Sequence, residues 1–461
     1  MVNSWKKVAL GRVAKVVGGF AFKSRDFVTR GVPVVKIKNV RHRDVDLSSV
    51  DHVTEEHADS CSRFLIKHGD VLISMTGSGI QAPASIVGRV ARHSGEDRAF
   101  LINQRVGRFE ILEPTELDIR YLYYFLSQRA VQLELVSIAT GSANQVNLSA
   151  VQIEALDIPL PPLSVQRRIA QVLGNLDDKI EVNSEIIQTL QRTSHMLFKS
   201  WFEDFEPVID NALVNGNPIP EEFASRADVR RAALADGTAN RSIADIFPDA
   251  FELTESMGWI PKGWEVKSLD QIAIYRNGLA LQKFGPIDGE PSLPIVKIAQ
   301  LKSGRATWDE PCSSRITSEC VLNDGDVVFS WSGSLMVTIW CGGTAALNQH
   351  LFRVTSTTFP KWLYWEWTRY HLSEFQRIAA DKAVTMGHIK RSHLSDARCA
   401  IPGELVVASG SDIFGPLLEQ MILLETQSRV LSECRSLLLP KLISGEIEAS
   451  YAEQPTVEAL S

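Results

Sequence analysis

With 461 residues, 44% hydrophobic and 22% charged, the chain is long enough for two or three ordinary domains, and its composition excludes disordered, collagen-like or coiled-coil-only architectures. A net charge of −7 argues at first against a nucleic-acid partner, but Lys and Arg outnumber Asp and Glu 20 to 17 in residues 1–162 and 15 to 13 in 264–402, and are outnumbered 10 to 16 in 163–263 and 3 to 9 in 403–461. The first and third segments therefore suit surfaces that face phosphates, and the acidity belongs to the other two.

In chain order, residues 1–162 carry short β-branched and aromatic runs (Val32 to Ile37, Val71 to Met75, Val106 to Leu112) separated by Gly, Asp and Ser turns, with a helix expected near Ile119 to Val136. This predicts a β-rich α+β domain. Residues 163–205 read as one long helix with a heptad seam at Leu173, Leu176, Ile180, Asn183, Ile187, Leu190, Ser194, Leu197 and Trp201. Such a helix would be about 60 Å long, too long to pack across one small domain, and so needs a helical partner. Residues 206–263 are an acidic linker rich in Pro, Asn and Ala, whose Ala-rich stretch suggests a short helix. Residues 264–402 then restart the first domain, 403–447 supply a second long helix, and 448–461 form a flexible tail.

The restart is an internal repeat. Trp5 to Phe22 aligns with Trp264 to Leu281, pairing Leu10 with Leu269, Val13 with Ile272, Ala14 with Ala273 and Gly19 with Gly278. VPVVKI from Val32 matches LPIVKI from Leu293, GDVLISMTGS from Gly69 matches GDVVFSWSGS from Gly325, and INQRVGRF from Ile102 matches LNQHLFRV from Leu347. From Tyr121 to about Phe202 the offset is constant at 241, which carries the seam to Phe414, Leu417, Met421, Leu424, Ser428, Leu431, Arg435, Leu438 and Leu442. A pseudo-two-fold relation between the copies predicts two antiparallel helices separating two similar heads.

No catalytic constellation emerges. There is no GxxxxGK[ST] phosphate loop, and His52 and His57, like His388 and His393, are five apart and off the spacing that shares a helix face. Gly77-Ser78-Gly79 with Ala82 imitates a dinucleotide turn, but Pro83 would sit in the helix that must receive the pyrophosphate. Leu160-Pro161-Pro162-Leu163 lacks the polar first residue of an amino-methyltransferase motif. The six cysteines show no CxxC, which predicts reduced core thiols. No apolar run reaches the roughly 18 residues of a membrane span, and the N-terminus lacks a signal-peptide core, so a cytoplasmic chain without membrane contact is expected.

What remains is binding, by polar residues at the turns that close the repeated strands. Lys36, Lys38, Lys297, Lys302 and Arg305 could neutralise phosphates. Asn39, Gln81 and Gln300, with Ser78 and Ser334 at the turn after the GDV strands, could reach base edges, because an amide can bond adenine bidentately. Asn103-Gln104-Arg105 and Asn348-Gln349-His350 offer the same chemistry, although an Asn-Gln pair kept in both copies is equally a device that holds the fold. Arg105 and His350, which differ between copies, are the better base readers.

The strings WKKVALGRVAKVVGGFAFKSRDF, IPLPPLSVQRRIAQVLGNLDDKI, GWIPKGWEV and LLLPKLISGEIE, in that order, resemble the specificity subunits of type I restriction-modification systems over essentially the whole chain. The resemblance implies two target recognition domains on two long antiparallel helices, and a non-catalytic subunit that binds a bipartite double-stranded DNA target with one half-site per domain. It further implies two copies of a methyltransferase subunit and a restriction translocase subunit as partners, which use S-adenosylmethionine, ATP and magnesium that this chain does not bind. One departure stands out. The first helix opens with PPLSVQRRI, its counterpart with PGELVVASG, and Gly410, Gly415 and Pro416 predict a later start near Ser411 or Asp412. Two rival readings remain open: a self-sufficient DNA methyltransferase or nuclease, which would itself bind S-adenosylmethionine, and a two-headed scaffold that binds only proteins.

Overall fold

The computed structural model describes residues 5–41, 44–78, 87–93, 100–142, 145–381 and 387–448. The chain packs as two units, residues 1–178 with 431–461 and residues 179–430. Each unit holds one sheet-rich head and a stretch of both long helices.

The first head is built on strands whose apolar residues leave little to solvent; Val71–Ser74 is buried at every position because both of its faces are covered. One antiparallel sheet has the order Ala14–Gly18, Val106–Ile111, Val71–Ser74, Val90–Arg92. A second runs Asp51–Val53, Val32–Val35, Phe100–Ile102, Leu65–Ile66, with its central pair parallel. Lys7–Ala9 pairs with Asp157–Pro159 and closes the head from its two chain ends. The helix expected from Ile119 to Val136 is two helices, Ile119–Leu126 and Arg129–Ile138. Asp118 caps the first by accepting from the amides of Arg120 and Tyr121, and Gln128 turns to an extended conformation (ψ 134°) that ends the run.

The second head repeats both four-stranded sheets and the closing ladder in the same strand order. Ile274–Asn277, Leu351–Thr355, Asp326–Ser330 and Met336–Trp340 form the antiparallel sheet. Thr307–Ser313, Ser292–Val296, Ala345–Leu347 and Val321–Leu322 form the mixed one, again with a parallel central pair. Glu265–Ser268 and Arg398–Ile401 are the closing ladder.

The long helices span Leu163–Phe198 and Glu404–Ser444. The second starts at Glu404, not near Ser411, and runs through Gly410 and Pro416. Gly410 has a packing role: a Cβ there would lie 2.6 Å from the Trp362 ring, and the Trp362 indole N–H donates to Ser411 Oγ at 3.0 Å. The residue that reads as a helix breaker is the one that lets an indole lie against the helix.

Within residues 179–430 the two helices run antiparallel: Asn183 meets Gln427 and Ser428, and Trp201 meets Phe414. Within the other unit Leu173 shares a core with Leu442 and Ile443, and Asp177 pairs with Arg435. Every seam position named above is buried or half-buried, although Leu418 rather than its neighbour Leu417 takes the buried place on the second helix. Arg435, an odd residue for a seam, is matched there by the Asp177 carboxylate, which also accepts from the Tyr124 hydroxyl at 2.9 Å.

The segment 206–263 is folded. Helices Glu206–Asn215 and Ala224–Ala235 are joined by the Arg230–Asp210 ion pair (2.6 Å), and Asn211 donates to the carbonyls of Ala244 and Phe247. Phe205, in the left-handed region at φ 53°, turns the chain out of the first long helix into an aromatic cluster with Phe223, Phe251 and Trp264. All six cysteines are free, and only Cys434 is exposed.

Candidate nucleic-acid interface

The Asn-Gln turns occupy the same place in both heads, at the crossing from the mixed sheet to the antiparallel one. The amide of Asn103 donates to Val35 and that of Asn348 to Val296 (2.9 and 3.1 Å); Gln104 donates to Phe20 and Gln349 to Leu279 (both 2.9 Å). The Asn carbonyls then accept from Val106 and Leu351 (2.8 and 3.0 Å). A glycine faces each turn: a Cβ at Gly19 would lie 2.1 Å from the Ile102 oxygen, and one at Gly278 2.2 Å from the Leu347 oxygen. The main chain of the Asn-Gln turn is thus one hydrogen-bonded scaffold shared by both heads. In the second head even the Asn348 side chain, 8% exposed, serves it by accepting from the His350 amide at 3.2 Å.

The third residue of each turn is placed differently. Arg105 is exposed, and its guanidinium donates to Asn147 Oδ1 at 3.4 Å; that oxygen also accepts from the Thr76 hydroxyl at 2.8 Å. His350 is half-buried, with Nδ1 3.2 Å from Ser332 Oγ and its ring beside Trp331. Gln104 is exposed and Gln349 half-buried, with Gln349 Nε2 3.4 Å from His350 Nε2.

The lysines form a second group. Lys36 Nζ sits 2.8 Å from Asp51 Oδ2 and 3.9 Å over the Phe27 ring, with Lys38 Nζ 3.9 Å from the same carboxylate. Hydrogen bonding from Lys36 holds the Asp51 carboxyl below its ordinary value. Lys297 makes the equivalent pair with Glu310 in the second head. These ammonium groups are positioned by acids on the neighbouring strand, so only part of their charge is available to a phosphate.

Other candidates lie elsewhere. Asn39 is 1% exposed and spends its side chain inside the fold, accepting from the Lys36 amide and donating to the carbonyls of Asp46 and Ser49. It cannot reach a base. Gln300 is half-buried on the helix Ile298–Ser303. Lys302 lines a cleft of about 380 Å³ with Ile187, Gln191, Trp365, Met421 and Glu425, a different neighbourhood from the strand ends. Arg305 is exposed just after that helix, Ser334 is exposed at the turn after Asp326–Ser330, and Ser78 is half-buried at the corresponding turn of the first head. Gln81 lies outside the described residues. Asn147 went unnoticed in the sequence and His388 was weighed there only as a metal ligand; the constant offset of 241 pairs them, and that was the available signal.

Two structurally equivalent heads, with one backbone scaffold and different polar side chains at matching strand ends, define a two-site recognition protein. Residues 3–192 match the family described as type I restriction modification DNA specificity domain. The type I restriction enzyme MjaIX specificity subunit of Methanocaldococcus jannaschii is 23% identical over 96% of this chain and 94% of that protein. The HindI specificity subunit of Haemophilus influenzae is 21% identical over 97% of this chain and all of its own length (100%). The crystal structure of the type I restriction-modification system S subunit from M. genitalium shares the fold, with a TM-score of 0.52 at 13% identity over 95% of this chain and 96% of that one. Over nearly its whole length the chain is similar to type I restriction enzyme specificity subunits, and residues 3–192 match the family's domain.

Proposed function

We propose that this chain is the non-catalytic address of a type I restriction-modification complex in the cytoplasm, each head binding one half of a bipartite, non-palindromic duplex target. The observation that carries this reading is the duplicated turn: one hydrogen-bonded backbone in both heads, with Arg105 on one and His350 on the other. Equal scaffolds give equal modes of approach to the duplex, and unequal side chains give unequal half-sites. The exposed apolar residues Val182, Ile186, Leu423 and Val430 on the long helices suit packing against partner subunits. Those partners are two methyltransferase copies and a restriction translocase, and they supply S-adenosylmethionine, ATP and magnesium chemistry for adenine methylation or for cleavage.

The test is duplex affinity against salt concentration. The chain with its methyltransferase subunit should bind duplex with a steep salt dependence, and Lys38→Ala should lower the slope by about 1 if that lysine meets a phosphate. The isolated chain should not bind S-adenosylmethionine. Salt-independent or absent duplex binding would leave the protein-only scaffold, and S-adenosylmethionine binding by the chain alone would favour a self-sufficient methyltransferase.

A further inference from the structure

In each head a hydroxyl, the variable residue of the Asn-Gln turn and a residue from beyond the paired head helices meet at the same point. The first set is Thr76, Arg105 and Asn147: Asn147 is the ladder partner of Thr76, and its Oδ1 accepts from both others. The second is Ser332, His350 and His388: His388 forms a bridge with Ser332, whose hydroxyl reaches His350. All three pairs occupy matching positions of the repeat. The hydroxyl is kept and buried in both, Thr76 at 6% and Ser332 at 3% exposure. The other two members change their chemistry, and Arg105 and His388 are exposed while Asn147 and His350 are half-buried.

We infer that these two triads are the base-discriminating sets of the two heads, an assignment that rests on the reading of the heads as DNA-contacting. Where one scaffold must read two different half-sites, the difference has to fall on accessible polar side chains with fixed orientation, and here the buried hydroxyl supplies the fixing. Arg105 can only donate, so the Asn147 atom it meets is the carbonyl oxygen. That oxygen is also engaged by Thr76, which leaves Asn147 its NH2 donors. The first triad therefore presents donors alone, and its complement in the major groove is a base edge of adjacent acceptors, O6 and N7 of guanine. The second triad carries two imidazoles, each able to donate at one ring nitrogen and accept at the other, and so reads a different edge.

The experiment uses the chain with its methyltransferase subunit and maps the methylated motif by sequencing. Arg105→His with Asn147→His should remove the requirement for a guanine in one half-site and leave the other unchanged; His350→Arg with His388→Asn should alter only the other half. Arg105→Ala should weaken binding to the cognate duplex roughly 5- to 150-fold and to a non-cognate duplex hardly at all. An unchanged motif in both double variants overturns the assignment. So does an equal loss on cognate and non-cognate duplexes, which would make Arg105 a phosphate contact. If a double variant fails to fold by circular dichroism, the exposed single change Arg105→Gln decides by the same motif readout. A wild-type complex with no defined motif would instead defeat the specificity-subunit reading itself.

Discussion

Phe414→Ala tests the packing that ties the long helices to the second head. The ring is 1% exposed, stacked on Trp362 (centroids 4.6 Å apart, planes at 13°) and edge-on to Trp201 (5.5 Å, 87°). Deleting a buried Phe costs about 3–5 kcal/mol, within which each aromatic pair accounts for about 0.5–1.5 kcal/mol. Trp362 cannot collapse into the void easily, because its indole N–H is tied to Ser411 and its edge already lies against Gly410. The upper part of the range, about 4–5 kcal/mol, is therefore expected. At about 2–4 °C per kcal/mol for a unit of this size, the melting transition of residues 179–430 should fall by about 8–20 °C. Thermal denaturation followed by circular dichroism and tryptophan fluorescence reads this directly. Leu423→Ala, at a side chain 61% exposed, should cost less than about 0.5 kcal/mol. A Phe414→Ala loss under about 1 kcal/mol would refute the shared aromatic core.

Three further outcomes are expected. Gly19→Ala and Gly278→Ala each press a methyl group into a backbone carbonyl and should cost about 1–3 kcal/mol in denaturant titrations; neutral substitutions would mean that the turns do not close as described. Arg230→Ala strands the Asp210 carboxylate, which is 2% exposed, and should cost about 3–5 kcal/mol, whereas a flexible segment 206–263 would give almost no change. Burial, opposed by Arg369 and the Ser194 hydrogen bond, raises the carboxyl pKa of Glu366. The folded state then holds the extra proton between the unfolded and folded pKa values, so this group's contribution to stability declines as pH rises through that window and is flat above it. Glu366→Gln should remove that decline from the stability profile, and an unchanged profile would exclude Glu366 as its source.

Much of the architecture was legible because it is written twice. The repeat located both heads, and the seam from Leu173 to Trp201 with its copy located both helices. Two local errors have a common origin. The break after Leu126 and the continuity through Gly410 depend on what packs against those residues, Gln128 turning at the end of one run and Trp362 filling the space above the other. Neither neighbour is visible in a periodicity. The same holds at the interface. Asn39 reads as a base-seeking amide beside two lysines, but its partners are carbonyls seven and ten residues on, which only the folded loop brings to it. Asn147 was overlooked, and His388 weighed only as a metal ligand, because they lie 42 and 38 residues beyond Arg105 and His350. Arg105 and His350 stood out because they differ within an otherwise repeated string.

The central claim, two unlike heads reading one split target, is tested most directly by methylation-sensitive sequencing of cells that express this chain with its methyltransferase subunit. The expected result is one non-palindromic motif in two fixed halves separated by bases of no preference. A palindromic or undivided motif would contradict it.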